Sequence, residues 1–188
     1  MHRYTIIAAT LAFGAGLADA AFAAAPPASA PGAAPPSKPA AAKPAGPSDK
    51  AQIEALERSF IAAFNAKDVT KVMSHYSKRE LFVFDVVPPR QYVGWDAYKK
   101  DWEELFKAFP GPVKASMADL SVTVAGTVAY GHNIQTSTFA GADGGKTELT
   151  VRVSDVYRKV GGRWLIVQEH VSIPVDLATM KPDPTSKP

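Results

Sequence analysis

The sequence contains no cysteine, which excludes disulfides, thiolate nucleophiles and cysteine-held iron–sulfur or zinc centres. Its histidines are His2, His75, His132 and His170. None is spaced from another as paired metal ligands are, and Gln168-Glu169-His170 offers too little to hold an ion. No metal and no organic cofactor is therefore expected. Excess charge of one sign is also scarce. Lys and Arg total 21 against 18 Asp and Glu, giving a formal net charge of +3. Part of that excess sits at Lys38, Lys43, Lys181 and Lys187. Elsewhere the signs alternate without a basic stripe, so no nucleic-acid partner is expected. Two motifs fail on their surroundings. Residues 141–147 resemble a phosphate loop one residue short, followed by a strand where a helix is required. Ser172, His170 and Asp155 lack the turn that exposes a serine nucleophile.

What is present at the N-terminus reads as an export signal. Met1-His2-Arg3 supplies positive charge, and the apolar run from Thr5 to Ala18 falls short of the ~20 residues of a membrane span. Ala18-Asp19-Ala20 and Ala21-Phe22-Ala23 are both suitable cleavage sites. The expectation is a signal peptide over 1–23, a periplasmic or secreted mature protein, and no stable membrane insertion after cleavage. Residues 24–48, almost all Ala, Pro, Ser, Gly and Lys, read as a linker that buries no core. A folded domain is expected over 49–178, with a disordered tail over 179–188.

Within that domain, Ile53, Leu56, Phe60 and Phe64 fall on one face of a helix from Asp49 to Ala66, capped by Ser48 or Asp49. Asp68 caps a short second helix with Val72, Met73 and Tyr76, where His75 is expected to be exposed. A third helix near Asp96 carries Tyr98, Trp102, Leu105, Phe106 and Phe109. Strands follow over Ala115–Val124, Val128–Phe139, Thr147–Lys159 and Arg163–Ile173, separated by glycine turns. Helices first and sheet afterwards predicts an α+β domain whose helices cover one face of an antiparallel sheet.

Two acids interrupt apolar strands. Asp85 lies in Leu81 to Val87, and Asp155 in Leu149 to Tyr157. Burial favours the neutral form of a carboxyl, and such acids are raw material for proton transfer. With Gly161-Gly162 as a two-residue hairpin, Tyr157 faces Ile166, Asp155 faces Gln168, and Val153 faces His170. Gln168 and His170 would then share the Asp155 face, while Arg152 and Glu169 would pair on the opposite, outer face. That outer face suits a homodimer interface. If Asp143-Gly144 forms the preceding turn, His132 joins Asp155; a loop one residue longer would turn it away.

Glu57 to Asp68, Asp85 to Gly94 and the Val153–His170 hairpin resemble the SnoaL-like and ketosteroid isomerase-like branch of the nuclear transport factor 2-like superfamily. The most specific pieces are Arg152-Val153-Ser154-Asp155-Val156-Tyr157-Arg158-Lys159, Gly162-Arg163-Trp164 and Glu169-His170-Val171-Ser172. The resemblance covers Gln52 to Asp176. It implies a cone of curved antiparallel sheet with three N-terminal helices and a ligand cavity at its wide end. It also places the family's proton-shuttling base on Asp85 and its protonated oxyanion-hole acid on Asp155. The tyrosine that completes that hole falls on Phe60, which has no hydroxyl. Losing such a donor typically costs ~3–4 kcal/mol of transition-state stabilisation, so Tyr76, His132 or His170 would have to supply it.

Two function classes follow. The first is a non-catalytic module that binds a small apolar or carbonyl-containing ligand or dimerises, with Phe60, Phe64, Tyr76, Trp95, Tyr98, Trp102, His132 and Gln168 around the cavity. The second is a cofactor-independent isomerase or lyase with Asp85 as base, Asp155 as hydrogen-bond donor, and His170 orienting either. Two carboxyls in one polar-tipped pocket would favour the enzyme.

Overall fold

Helix starts follow the capping residues that the sequence supplies. In the computed structural model, which describes residues 46–186, the Ser48 hydroxyl accepts the Ala51 amide at 3.2 Å and opens α1, Asp49–Asn65. Asp68 accepts the Lys71 amide at 2.9 Å and opens α2, Val69–Met73. Gly94, at φ 92°, precedes α3, Trp95–Ala108, which ends before Pro110. The export segment 1–23 and most of the 24–48 linker lie outside the described residues. No helix among the described residues is long and apolar enough to cross a membrane.

The strands are β1 (Phe82–Phe84), β2 (Tyr92–Val93), β3 (Val113–Ala125), β4 (Val128–Ala140), β5 (Lys146–Val160) and β6 (Arg163–Ser172). They form one sheet in the order β2-β1-β6-β5-β4-β3, antiparallel except for β1 beside β6. The fold is α+β, with three helices and an antiparallel sheet whose burial alternates along β4 and β5. Ile53, Phe60 and Phe64 of α1 and Tyr98 and Trp102 of α3 are buried in the common core. The rings of Phe60, Phe64 and Trp102 meet mostly edge to face, with centroids 5.1–6.2 Å apart, a favourable aromatic geometry.

Gly161 and Gly162 both have positive φ, at 57° and 81°, as a tight hairpin turn requires. From that turn the expected register holds as far as Tyr157 opposite Ile166. A bulge then intervenes, and Val156 faces Gln168, Asp155 faces Glu169, and Val153 faces Val171. The extra residue, Val167, reverses the side-chain alternation beyond it. Glu169 therefore points inward and is 4% exposed, while Gln168 and His170 are exposed. The expected Arg152–Glu169 pair on the outer face does not form. In the neighbouring hairpin, Ala140 faces Lys146 across a five-residue loop, so Gly131 faces Asp155 and His132 faces Ser154. His132 is exposed.

Part of the segment expected as a disordered tail, Lys181–Pro182, pairs with residues of the expected domain. β7 (Val175–Asp176) and β8 (Lys181–Pro182) form a short hairpin, and Pro184 accepts the Thr150 amide at 2.7 Å. His75 also departs from its expected exposure. It lies past the end of α2, buried, with Nδ1 3.0 Å from the Val72 carbonyl and Nε2 3.0 Å from the Ser59 hydroxyl.

One backbone position makes room for the site. A Cβ on Gly131 would lie 2.8 Å from the Ser121 carbonyl oxygen and 3.3 Å from the Tyr157 hydroxyl. Gly131→Ala is thus expected to cost about 1–3 kcal/mol through overpacking, read as a lower urea midpoint. An unchanged midpoint would show that the strand yields freely there.

Candidate functional site

A cavity of about 260 Å³ lies between α1, α3 and the inner face of the sheet. Phe60 and Phe64 of α1, Trp102 and Leu105 of α3, and Phe139 and Leu149 of the sheet supply apolar wall. Polar groups gather at particular points. Asp85, two residues beyond the buried Val83 of β1, lines the cavity together with Tyr98 and Glu169. A mainly apolar hollow with a few convergent polar groups is the usual form of a small-molecule site.

The acids are linked through tyrosines. The Tyr98 hydroxyl is 3.0 Å from Asp85 Oδ2 and 2.7 Å from Glu169 Oε1. Tyr76 donates to Glu169 Oε2 at 2.8 Å. Behind Glu169, Tyr157 is 2.9 Å from Glu57 Oε1 and 3.4 Å from Asp155 Oδ2. A tyrosine carries one hydroxyl hydrogen, so Tyr98 cannot donate to both carboxyls at once. One of Asp85 and Glu169 must carry a proton and donate it to the Tyr98 oxygen, or that contact would set lone pair against lone pair. Asp155 Oδ1 has no partner among the described residues if the acid is ionised. Protonation resolves this, because the Asp155 hydroxyl can donate to Glu169, its cross-strand neighbour.

Electrostatics point the same way. Glu57, Asp155 and Glu169 are at most 4% exposed, and the ion pairs of the described residues, such as Lys159 with Asp49, involve other acids. Burial pushes Glu57 up to about 7, against the lowering effect of the Tyr157 hydrogen bond. Burial likewise pushes Glu169 up to about 7, although the Tyr98 and Tyr76 hydroxyls favour its ionised form. Asp155 lies well above the ordinary carboxylate range, through burial first and then the charges of Glu57 and Glu169. Asp85 is raised by burial, and the Val86 amide and Tyr98 hydroxyl oppose the shift. Buried acids without a cation hold their protons because ionisation there lacks solvation.

Several sequence-expected residues occupy other places. Asp155 is buried in the row Glu169–Asp155–Gly131 and does not line the cavity. Glu169 takes the cavity position expected for it. His170, Gln168 and His132 lie on the outer side of the sheet, and His170 packs against Phe84 with ring centroids 5.5 Å apart. Trp95 is directed to the Met73 carbonyl, to which its Nε1 donates at 2.9 Å, and is not part of the cavity wall. Tyr76 supports Glu169 from behind that wall. Phe60, Phe64, Trp102 and Asp85 do line it. Phe60 lines the cavity without a hydroxyl, and the hydroxyl that meets Asp85 is that of Tyr98. Among the described residues, no group of three His, Cys, Asp or Glu side chains is arranged to hold a metal.

Glu57 is the buried acid that the sequence reading passed over. It stands four residues after Ile53 and three before Phe60, on the apolar stripe of α1. An acid on such a stripe is a legible sign of a buried carboxyl.

The chain belongs to the SnoaL-like domain family, whose match spans residues 53–176. Similar solved structures are nuclear transport factor 2-like. A protein of unknown function from Pseudomonas putida KT2440 has 28% identity and a TM-score of 0.67, covering 76% of this chain and 100% of its own. A ketosteroid isomerase-like protein from Erwinia carotovora atroseptica SCRI1043 has 21% identity and a TM-score of 0.57, covering 65% and 93%. A protein of unknown function with a cystatin-like fold from Nostoc punctiforme PCC 73102 has 14% identity and a TM-score of 0.57, covering 70% and 95%. The last two share the fold alone. No curated protein matches the chain. A shared fold leaves the activity open, so the site must carry the functional reading.

Proposed function

We propose that this domain is a cofactor-independent acid–base catalyst, an isomerase or lyase acting on a small, mainly apolar carbonyl compound. The observation that carries this reading is Tyr98, set between Asp85 at 3.0 Å and Glu169 at 2.7 Å on the cavity wall. Two proton arrangements share that geometry. In one, Glu169 donates to Tyr98 and Tyr98 donates to an ionised Asp85. In the other, Asp85 holds the proton and Tyr98 donates to an ionised Glu169. Asp85 in the first form takes a proton from carbon beside the carbonyl: the C–H bond breaks, its electrons move toward the carbonyl oxygen, and an O–H bond forms on Asp85. Returning that proton to another carbon completes an isomerisation; breaking of a β C–O bond, with the same proton passing from Asp85 to the departing oxygen so that water leaves, completes a dehydration. Glu169, held near neutral pH in its affinity for protons, serves as the acid at the same end.

The direct experiment places small ketones with the purified protein in deuterium oxide and follows exchange of their α-protons by NMR. Catalysed exchange of at least one supports the proposal; binding without exchange returns the domain to a binding module, which the mostly apolar wall would also suit. The reading includes export, supported by the composition of residues 1–23. It also includes a homodimer through the outer sheet face, where Tyr130 is 57% and Val128 40% exposed. Sedimentation at micromolar concentration should give twice the monomer mass; a monomer would remove that part.

A further inference from the structure

Two carboxyl–tyrosine–carboxyl units stand one behind the other. Asp85, Tyr98 and Glu169 lie on the cavity wall, and Glu57, Tyr157 and Asp155 lie behind them. Asp155 and Glu169 join the units as cross-strand neighbours on β5 and β6. Neither Glu57 nor Asp155 lines the cavity. Tyr157 has a single hydroxyl hydrogen between Glu57 Oε1 at 2.9 Å and Asp155 Oδ2 at 3.4 Å. With a proton on Glu57, that acid donates to the Tyr157 oxygen and Tyr157 donates to Asp155 Oδ2. Asp155 Oδ1, otherwise without a partner among the described residues, then carries the acid hydrogen and donates to Glu169. The hydrogen bonds thus run in one direction, from α1 to Glu169, and bonds aligned in this way polarise one another.

We propose that Asp155 is a positioning residue that acts through Glu169: its hydrogen bond, backed by Tyr157 and Glu57, draws the proton shared across Tyr98 toward Asp85. That sharing is a paired shift. As the Glu169 hydrogen passes to the Tyr98 oxygen, the Tyr98 hydrogen passes to Asp85, and no proton leaves the pair. Asp155 adds a donor at one end only. Ionised Glu169 receives Tyr98, Tyr76 and Asp155, whereas ionised Asp85 receives Tyr98 and the Val86 amide. The titratable groups acting on Asp155 and Glu169 are Glu57 of α1, Tyr76 after α2, Asp85 after β1, Tyr98 of α3 and Tyr157 of β5. β4 brings Gly131 to this row and no charge. The inference rests on the acid–base reading above and extends it to a residue that no substrate touches.

The test compares Asp155→Leu, which removes the donor, with Asp155→Asn, whose amide still donates. Carboxyl-carbon NMR titration reads Glu169 without any substrate. The pH profile of α-proton exchange reads the alkaline limb, where Glu169 loses its proton. In Asp155→Leu both should move to higher pH by about half a unit or more, because ionised Glu169 has lost a donor. In Asp155→Asn both should stay within about 0.3 unit of native. Asp155→Val, with a smaller strand-forming side chain, gives the same readout if the leucine variant does not fold. A Glu169 midpoint that stays in place in the apolar variant, or that moves equally in Asp155→Asn, overturns the proposal. So does a move to lower pH, which would mean that Asp155 is ionised and repels Glu169. The expected midpoint shift in a protein that exchanges no α-protons upholds the hydrogen bond and overturns the catalytic reading alone.

Discussion

Asp85→Asn is expected to lower α-proton exchange and turnover by roughly 10²–10⁴-fold, the usual contribution of a positioned general base. The amide matches the carboxyl in shape. Its oxygen can still accept the Tyr98 hydroxyl that now lies 3.0 Å from Asp85 Oδ2. What it loses is the capacity to take a proton. Because Asp85 is raised by burial, removing its charge should leave the urea midpoint unchanged or slightly higher. Activity lost with the fold retained assigns the base. Exchange within about threefold of the native rate would take Asp85 out of the chemistry and return the cavity to ligand binding.

Stability should fall as pH rises from 5 to 8, the reverse of the trend set by salt-bridged carboxylates. Glu57 and Glu169 have an ordinary value of 4.5 and are pushed up to about 7 in the fold. Below 4.5 both folded and unfolded chains hold these protons. Between 4.5 and about 7 the unfolded chain releases them while the folded chain keeps them, so folding loses about 1.4 kcal/mol per pH unit for each group. Asp155, raised further, acts in the same direction. His75, lowered chiefly by burial, opposes them below its ordinary value of 6.5 but is a single group. Asp49 and Asp176 are held below 3.8 and titrate outside the window. The net expectation is a loss of at least about 2 kcal/mol between pH 5 and pH 8, read from urea midpoints. Glu57→Gln should flatten the slope. A midpoint that rises across this range would mean that the buried acids are ionised.

The helices and the meander of the four long strands were legible because their signals are local, whereas the parallel seat of β1 beside β6 was not. Ser48 and Asp68 cap their helices, Phe60 and Phe64 keep helical spacing, and Gly161-Gly162 turns the last long hairpin. Asp85 was legible as a charge inside an apolar run. The other cavity acid was not, because Val167 carries no mark of a bulge. Val fits a regular strand, and the pairing that displaces it involves Val156 and Tyr157 across the sheet. One extra residue exchanged Glu169 for Gln168 and His170 on the inner face and removed both from the site. A register offset of one residue at the Gly141–Gly145 loop likewise set His132 outside. Tyr98 was legible as a wall residue; its role as a bridge depends on Glu169 being inward, and so became visible only with the bulge.

Shared protons among Glu57, Asp155, Glu169 and Asp85 underlie the chemistry, the stability profile and the role of Tyr98. Carboxyl-carbon NMR titration of the folded domain, with Glu57 and Glu169 assigned through their Gln variants, reads them directly. Midpoints near 7 are expected for both glutamates, with Asp155 protonated throughout neutral pH. Midpoints near 4.5 for Glu57 and Glu169, with Asp155 ionised at pH 6, would contradict it.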